Sequence, residues 1–133
     1  MKRLIFITVF CLGLAAHSVA AQQDYCFQND GLKVNQMASF TVTNNKIEGF
    51  FNVGDYSGET SGTNFDFTGT KTGNLLTITF KGGKAPYEVA PQSHQIVWTL
   101  RSPRRMTIPM YGKNYSTGKY STYTAVFGPC RDI

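Results

Sequence analysis

Histidine, cysteine and tryptophan are all scarce in this chain of 133 residues. The histidines are His17 and His94 alone. A nucleophilic triad needs a base beside its nucleophile, and one histidine in a Pro-Gln-Ser-His loop offers little for that chemistry. The three cysteines contain no Cys-x-x-Cys pair, which argues against a redox dithiol or a zinc ribbon. The acidic side chains Glu48, Asp55, Glu59, Asp66 and Glu88 fall on polar faces or loops, not as a facing pair suited to glycoside hydrolysis. Gly112 to Lys119 has the outline of a phosphate loop, but its spacing is one residue too long and Tyr120 stands where Ser or Thr is required. Beyond the first twenty residues no window carries a helical period. The expectation is a non-enzymatic protein with no metal and no cofactor.

One apolar run stands apart. Lys2 and Arg3 precede Leu4–Ala16, and Ser18-Val19-Ala20-Ala21 supplies small residues at the positions a signal peptidase reads. The expectation is a cleaved signal peptide over 1–21, an exported product that is periplasmic or extracellular, and a single domain over 22–133 without a transmembrane segment. Removing Lys2 and Arg3 leaves eleven basic against eight acidic side chains, a mildly basic +3. Anionic partners suit that charge and nucleic acid is not expected. Cys26 and Cys130 remain near opposite ends of the mature chain. In an oxidising compartment two such cysteines pair, closing a loop of about a hundred residues.

What is abundant is alternation. Phe65 and Phe67, then Leu76, Ile78 and Phe80, alternate with polar residues on either side of Thr72-Gly73-Asn74. That is the period of half-buried strands joined by a tight turn. Asn29-Asp30-Gly31 and Asn44-Asn45-Lys46 mark further turns, and Gly49 reads as a bend or bulge. Ile96, Trp98 and Leu100 share one face, and Tyr123, Ala125 and Phe127 another. Tyr87-Glu88-Val89 suggests an edge strand, as does Met106–Met110, whose Pro109 argues for a strand end. Trp98 fits either a core plug or the floor of a ligand pocket. Seven or eight short strands joined by Gly and Asn turns predict an all-β fold. The preferred form is a small antiparallel up-and-down barrel with disulfide-joined ends, and a β-sandwich is the alternative.

The residues best suited to recognition are basic and aromatic. Arg101, Arg104 and Arg105 cluster around Pro103, and Tyr111, Lys113, Tyr115 and Lys119 follow, with Tyr120 and Tyr123 beyond. Arginine forks bind phosphate, sulfate or carboxylate, and tyrosine offers a flat face with a hydroxyl at its edge. An anionic glycan, a lipid head group or a protein partner is the expected ligand, with a small molecule inside the barrel as another form. Asn29-Asp30-Gly31, Ile47-Glu48-Gly49-Phe50 and Val97-Trp98-Thr99-Leu100-Arg101-Ser102 resemble avidin-type barrels, which implies a closed barrel of lipocalin/avidin-like architecture. Trp98 is the one tryptophan here, so that family's several ligand-binding tryptophans do not carry over. Gly112-Lys113-Asn114-Tyr115-Ser116-Thr117-Gly118 is similar to a stretch of periplasmic inhibitors of C-type lysozymes, with Tyr111 where those have Ser. That likeness implies an inhibitor or immunity-type protein that binds an enzyme through residues 111–119.

Overall fold

Side chains that alternate along each strand must find one common interior, and eight strands supply it. The computed structural model describes residues 21–30, 34–55 and 62–131. The strands are β1 (Gln23–Asp30), β2 (Val34–Thr43), β3 (Lys46–Asp55), β4 (Thr63–Thr72), β5 (Leu75–Phe80), β6 (Ile96–Ser102), β7 (Arg105–Lys113) and β8 (Tyr120–Pro129). Each pairs antiparallel with its sequence neighbour, and β8 returns to β1, so the sheet closes as an up-and-down barrel. The sandwich alternative is not formed.

Several local expectations shift. Asn29 and Asp30 are strand residues of β1, and Gly31, the third residue of the expected turn, lies outside the described set. The return strand and the Phe40 strand are one element, β2. The polar loop after Asp55 lies mostly on residues 56–61, also outside the described set. At Asn44-Asn45 both residues take positive φ, 52° and 60°, as a two-residue hairpin turn requires. Gly73 does the same at 59° in the β4–β5 turn. Tyr87-Glu88-Val89 is not a strand, although its backbone still serves one, since Tyr111 N–H donates to Glu88 C=O at 3.0 Å. Pro109 sits inside β7, not at its end. The registered β6–β7 pairs stop at Thr107, so the missing proline N–H breaks no bond of that ladder.

Gly49 is no bulge. The β2–β3 and β3–β4 registers run unbroken through it, pairing it with Phe40 on one side and Phe67 on the other. A Cβ there would collide with the Ser39 carbonyl and lie 2.5 Å from the Phe40 Cβ. The glycine lets two phenylalanine rings converge, with centroids 6.1 Å apart, over a sharply coiled sheet.

The barrel is filled. Trp98 is fully buried, with Phe40, Phe51, Phe67 and Phe80 around it at ring-centroid separations between 5.0 and 6.5 Å. Phe27, Ile47, Leu76, Met106, Ile108 and Phe127 complete the interior. An eight-stranded barrel is just wide enough for side chains to fill. Side chains occupy the lumen, and Trp98 is a core plug. Outside, Lys46, Glu48, Asp66, Thr68 and Thr79 face solvent. Apolar inside and polar outside is the reverse of a lipid-facing barrel. No helix among the described residues is long and apolar enough to cross a membrane.

One end of the barrel is capped from within the chain. The connection between β5 and β6 folds Tyr87 over the core, where its ring packs on Phe51 and Phe80 and its hydroxyl accepts the Trp98 Nε1–H at 2.8 Å. The closing seam, by contrast, is short. β2 and β3 share ten registered pairs, whereas β1 and β8 share two, Phe27↔Pro129 and Gln28↔Gly128. Directly beside these pairs lies the Cys26–Cys130 disulfide, with Cα atoms 5.4 Å apart, and Cys130 N–H donates to Cys26 C=O at 3.1 Å. The covalent link sits where the ladder is thinnest.

Candidate binding wall on strands β6 to β8

The predicted recognition residues all fall on β6, β7, β8 and their connections, but at two ends of them. Arg101, Arg104 and Arg105 surround the tight β6–β7 turn. A register shift between Leu100 and Ser102 makes Arg101 the extra residue of a bulge. Its Nε donates to Thr107 Oγ1 at 3.3 Å, so the guanidinium lies across a buried threonine with its fork still exposed. Arg104 N–H donates to Ser102 Oγ at 3.2 Å, which shapes the turn. Among the described residues the ion pair is Lys81–Asp66, at 3.8 Å, and none of these three arginines lies within ion-pair distance of a carboxylate.

Tyr111, Lys113, Tyr115 and Lys119 gather at the opposite end of β7. The strand's rise separates Lys113 from Arg105 by roughly 26 Å. Here the chain reverses through an ordered loop. Asn114 N–H donates to Lys119 C=O at 2.8 Å, Gly118 N–H to Asn114 C=O at 2.7 Å, and Ser116 N–H to Asn114 Oδ1 at 2.9 Å. That loop holds Tyr115 95% exposed. Behind it Tyr111 and Tyr120 stack, centroids 5.5 Å apart and planes at 26°. Tyr123 lies against Gly112, where a Cβ would meet its ring at 3.0 Å, and its hydroxyl donates to Met110 Sδ at 3.7 Å.

A signal that the reading by residue clusters missed joins the two ends. From Val89 to Arg131 the sequence has no aspartate or glutamate, while it carries Arg101, Arg104, Arg105, Lys113, Lys119 and Arg131. Summed over residues 22–133 this asymmetry shrinks to +3. Folding lays the acid-free stretch out as three adjacent strands, one continuous wall of the barrel. Tyr120 and Val126 are exposed on the outer face of this wall and Tyr115 on the loop at its end, whereas Tyr123 shares the inward face of β8 with Ala125 and Phe127.

Other features are less suited to a charged ligand. A cleft of about 900 Å³ lies under the β5–β6 connection, floored by Phe65 and Ile96 and rimmed by Lys81, Lys84, Glu88 and His94. Its charges largely offset one another, since Lys81 pairs with Asp66. His94 is exposed in the loop, as expected of a solvated histidine. No group of three or more potential metal ligands occurs among the described residues. The Tyr87 hydroxyl is pushed up to about 12 by burial, an effect the Trp98 hydrogen bond partly opposes. Burial also raises Tyr25. Comparison with protein-family models, with curated proteins and with solved structures finds no match to this chain.

Proposed function

We propose that this chain is an exported, non-enzymatic binding protein that holds an extended anionic polymer, such as an acidic cell-envelope glycan, along β7 and β8. The observation that carries the reading is the acid-free wall, with arginines that have no carboxylate partner among the described residues at one end and lysines among tyrosines at the other. A compact ligand would reach one end alone. A polymer of several sugar units spans roughly 26 Å, meets cations at both ends and finds tyrosine rings on which pyranose faces can rest. A lumen filled by side chains supports a reading in which recognition uses the outer surface.

The test is titration with heparin and with a sulfated disaccharide at two salt concentrations. The polymer binds the wild type more tightly than the disaccharide, and binding weakens as salt screens the wall. Arg104→Glu combined with Arg105→Glu reduces polymer affinity about tenfold or more and flattens the salt dependence. Equal binding of the short and long ligands, or unchanged affinity in the double variant, would sink the proposal.

A second reading has its own observation. A tyrosine 95% exposed on a hydrogen-bonded loop is presented as an anchor for a concave partner site. An enzyme gripped through residues 111–119 fits that presentation. Inhibition of a C-type lysozyme that disappears in Tyr115→Ala supports it, and absence of inhibition removes the lysozyme form.

A further inference from the structure

On the outer face of the wall two tyrosine rings meet. Ile108 and Met110 point into the barrel, so Pro109, Tyr111 and Lys113 point out of it. On β8, Ala125 and Phe127 point inward, which turns Tyr120, Thr122, Thr124 and Val126 outward. The β7–β8 register sets Tyr111 opposite Thr122 and Lys113 opposite Tyr120. Tyr111 and Tyr120 are therefore diagonal neighbours, within reach of each other as aromatic side chains. They stack, with centroids 5.5 Å apart and planes at 26°. Tyr111 is half-buried and Tyr120 is 55% exposed, so Tyr120 is the ring offered to solvent, with Tyr111 behind it. Lys113 stands directly across the ladder from Tyr120, their Cβ atoms about 5 Å apart. The hydrogen bond from Asn114 N–H to Lys119 C=O closes the loop between them, which fixes platform and cation relative to each other. Among the described residues neither Lys113 nor Lys119 lies within ion-pair distance of a carboxylate.

We propose that Tyr120, backed by Tyr111, is the stacking platform for a uronic acid ring and that Lys113 holds that ring's carboxylate, so the polymer on the wall is a uronate-containing glycan. A pyranose presents axial C–H bonds on one face, and these rest on the electron-rich face of an aromatic ring. In a uronic acid the carboxylate is bonded directly to the pyranose and projects from its edge. An ammonium one strand away from the platform meets it there. Lysine serves as a compact point charge at this end, whereas the planar forks of Arg101, Arg104 and Arg105 lie at the other. One free platform takes one ring, while single-stranded nucleic acid is gripped by several bases stacked in succession. Resting on the polyanion reading, this subsite narrows it, because charge alone sets no preference among anionic polymers.

The test titrates the protein, its disulfide intact, with hyaluronan oligosaccharides, whose only charges are glucuronate carboxylates. Inorganic polyphosphate and oligothymidylate are titrated beside them. The wild type binds hyaluronan, and saturation transferred from the protein's aromatic rings reaches the axial hydrogens of one glucuronate face more than those of the other. Tyr120→Leu weakens hyaluronan binding about tenfold and polyphosphate binding by less than about twofold. Tyr120→Phe keeps the ring and keeps hyaluronan affinity. Lys113→Gln weakens hyaluronan about threefold and leaves the one-sided contact in place. A wild type that binds polyphosphate but not hyaluronan, or an unchanged hyaluronan affinity in Tyr120→Leu, would overturn the subsite and leave the polyanion reading standing. Equal losses for hyaluronan and polyphosphate in that variant, or tighter binding of oligothymidylate than of hyaluronan, would do the same. A wild type that binds none of the three removes both.

Discussion

At the scale of single residues, Gly49 and Tyr87 are each replaceable by a side chain that differs by one group, with opposite lessons. Gly49→Ala adds a methyl where a backbone carbonyl and the Phe40 Cβ already stand. Neither obstacle is a flexible side-chain end, so the expected cost is about 1–3 kcal/mol or more, read as a lowered denaturation midpoint with an unchanged m-value. Tyr87→Phe removes the acceptor for the buried Trp98 N–H, a loss of about 1–3 kcal/mol at neutral pH. In alkali the sign differs. The Tyr87 hydroxyl titrates near 10 in the unfolded chain and near 12 in the fold, so its contribution is intact below pH 10 and is lost as pH rises from 10 to 12. Stability of the wild type therefore falls more steeply over that window than stability of Tyr87→Phe, and Trp98, the single tryptophan, reports it by fluorescence. The composition made Gly49 conspicuous but suggested the wrong geometry. A bulge and a close approach of neighbouring rings both call for glycine, and only the register separates them.

At the scale of elements, strands were legible wherever one face is apolar and the other polar. That rule located β4, β5, β6 and β8 to within a few residues. It was less informative where burial is uneven, as in β2, whose first half lacks clear alternation and was read apart from its second half. Seam length was not legible at all. How many pairs β1 and β8 share depends on strand stagger around the whole barrel, a property no local window contains. Its consequence is measurable. With two registered pairs at the closure, the disulfide holds the end strands together more than the ladder does. A crosslink between residues 104 positions apart contributes about 4.7 kcal/mol in the chain-entropy account, so Cys26→Ala with Cys130→Ala lowers the unfolding free energy by about that much. Hydrogen exchange should quicken first in β1 and β8, while β2–β3 stays protected. Uniform loss of protection across all strands would contradict a localised seam.

At the scale of the whole molecule, net charge hides what charge placement shows. A value of +3 makes residues 22–133 mildly basic, yet seven of the eight acids precede Val89 and the eighth, Asp132, follows the acid-free stretch. Counting acids along the chain would have exposed the sorting, but not that the stretch forms adjacent strands. Location and total charge can be told apart directly. Lys46→Glu with Lys71→Glu alters the total charge as much as reversal of Arg104 and Arg105, but on β3 and β4. Heparin affinity should fall by less than about threefold in the first case and by about tenfold or more in the second. Equal losses would mean that total charge alone governs binding. The placement of the crosslink beside the ends of the chain has a mechanical consequence too. Tension applied at residues 22 and 131 passes from Cys26 straight to Cys130, and the strands between carry none of it. Pulled in an oxidising medium, the protein lengthens by only a few residues at each end. Pulled after reduction, it opens as a zipper from a seam two residue pairs long.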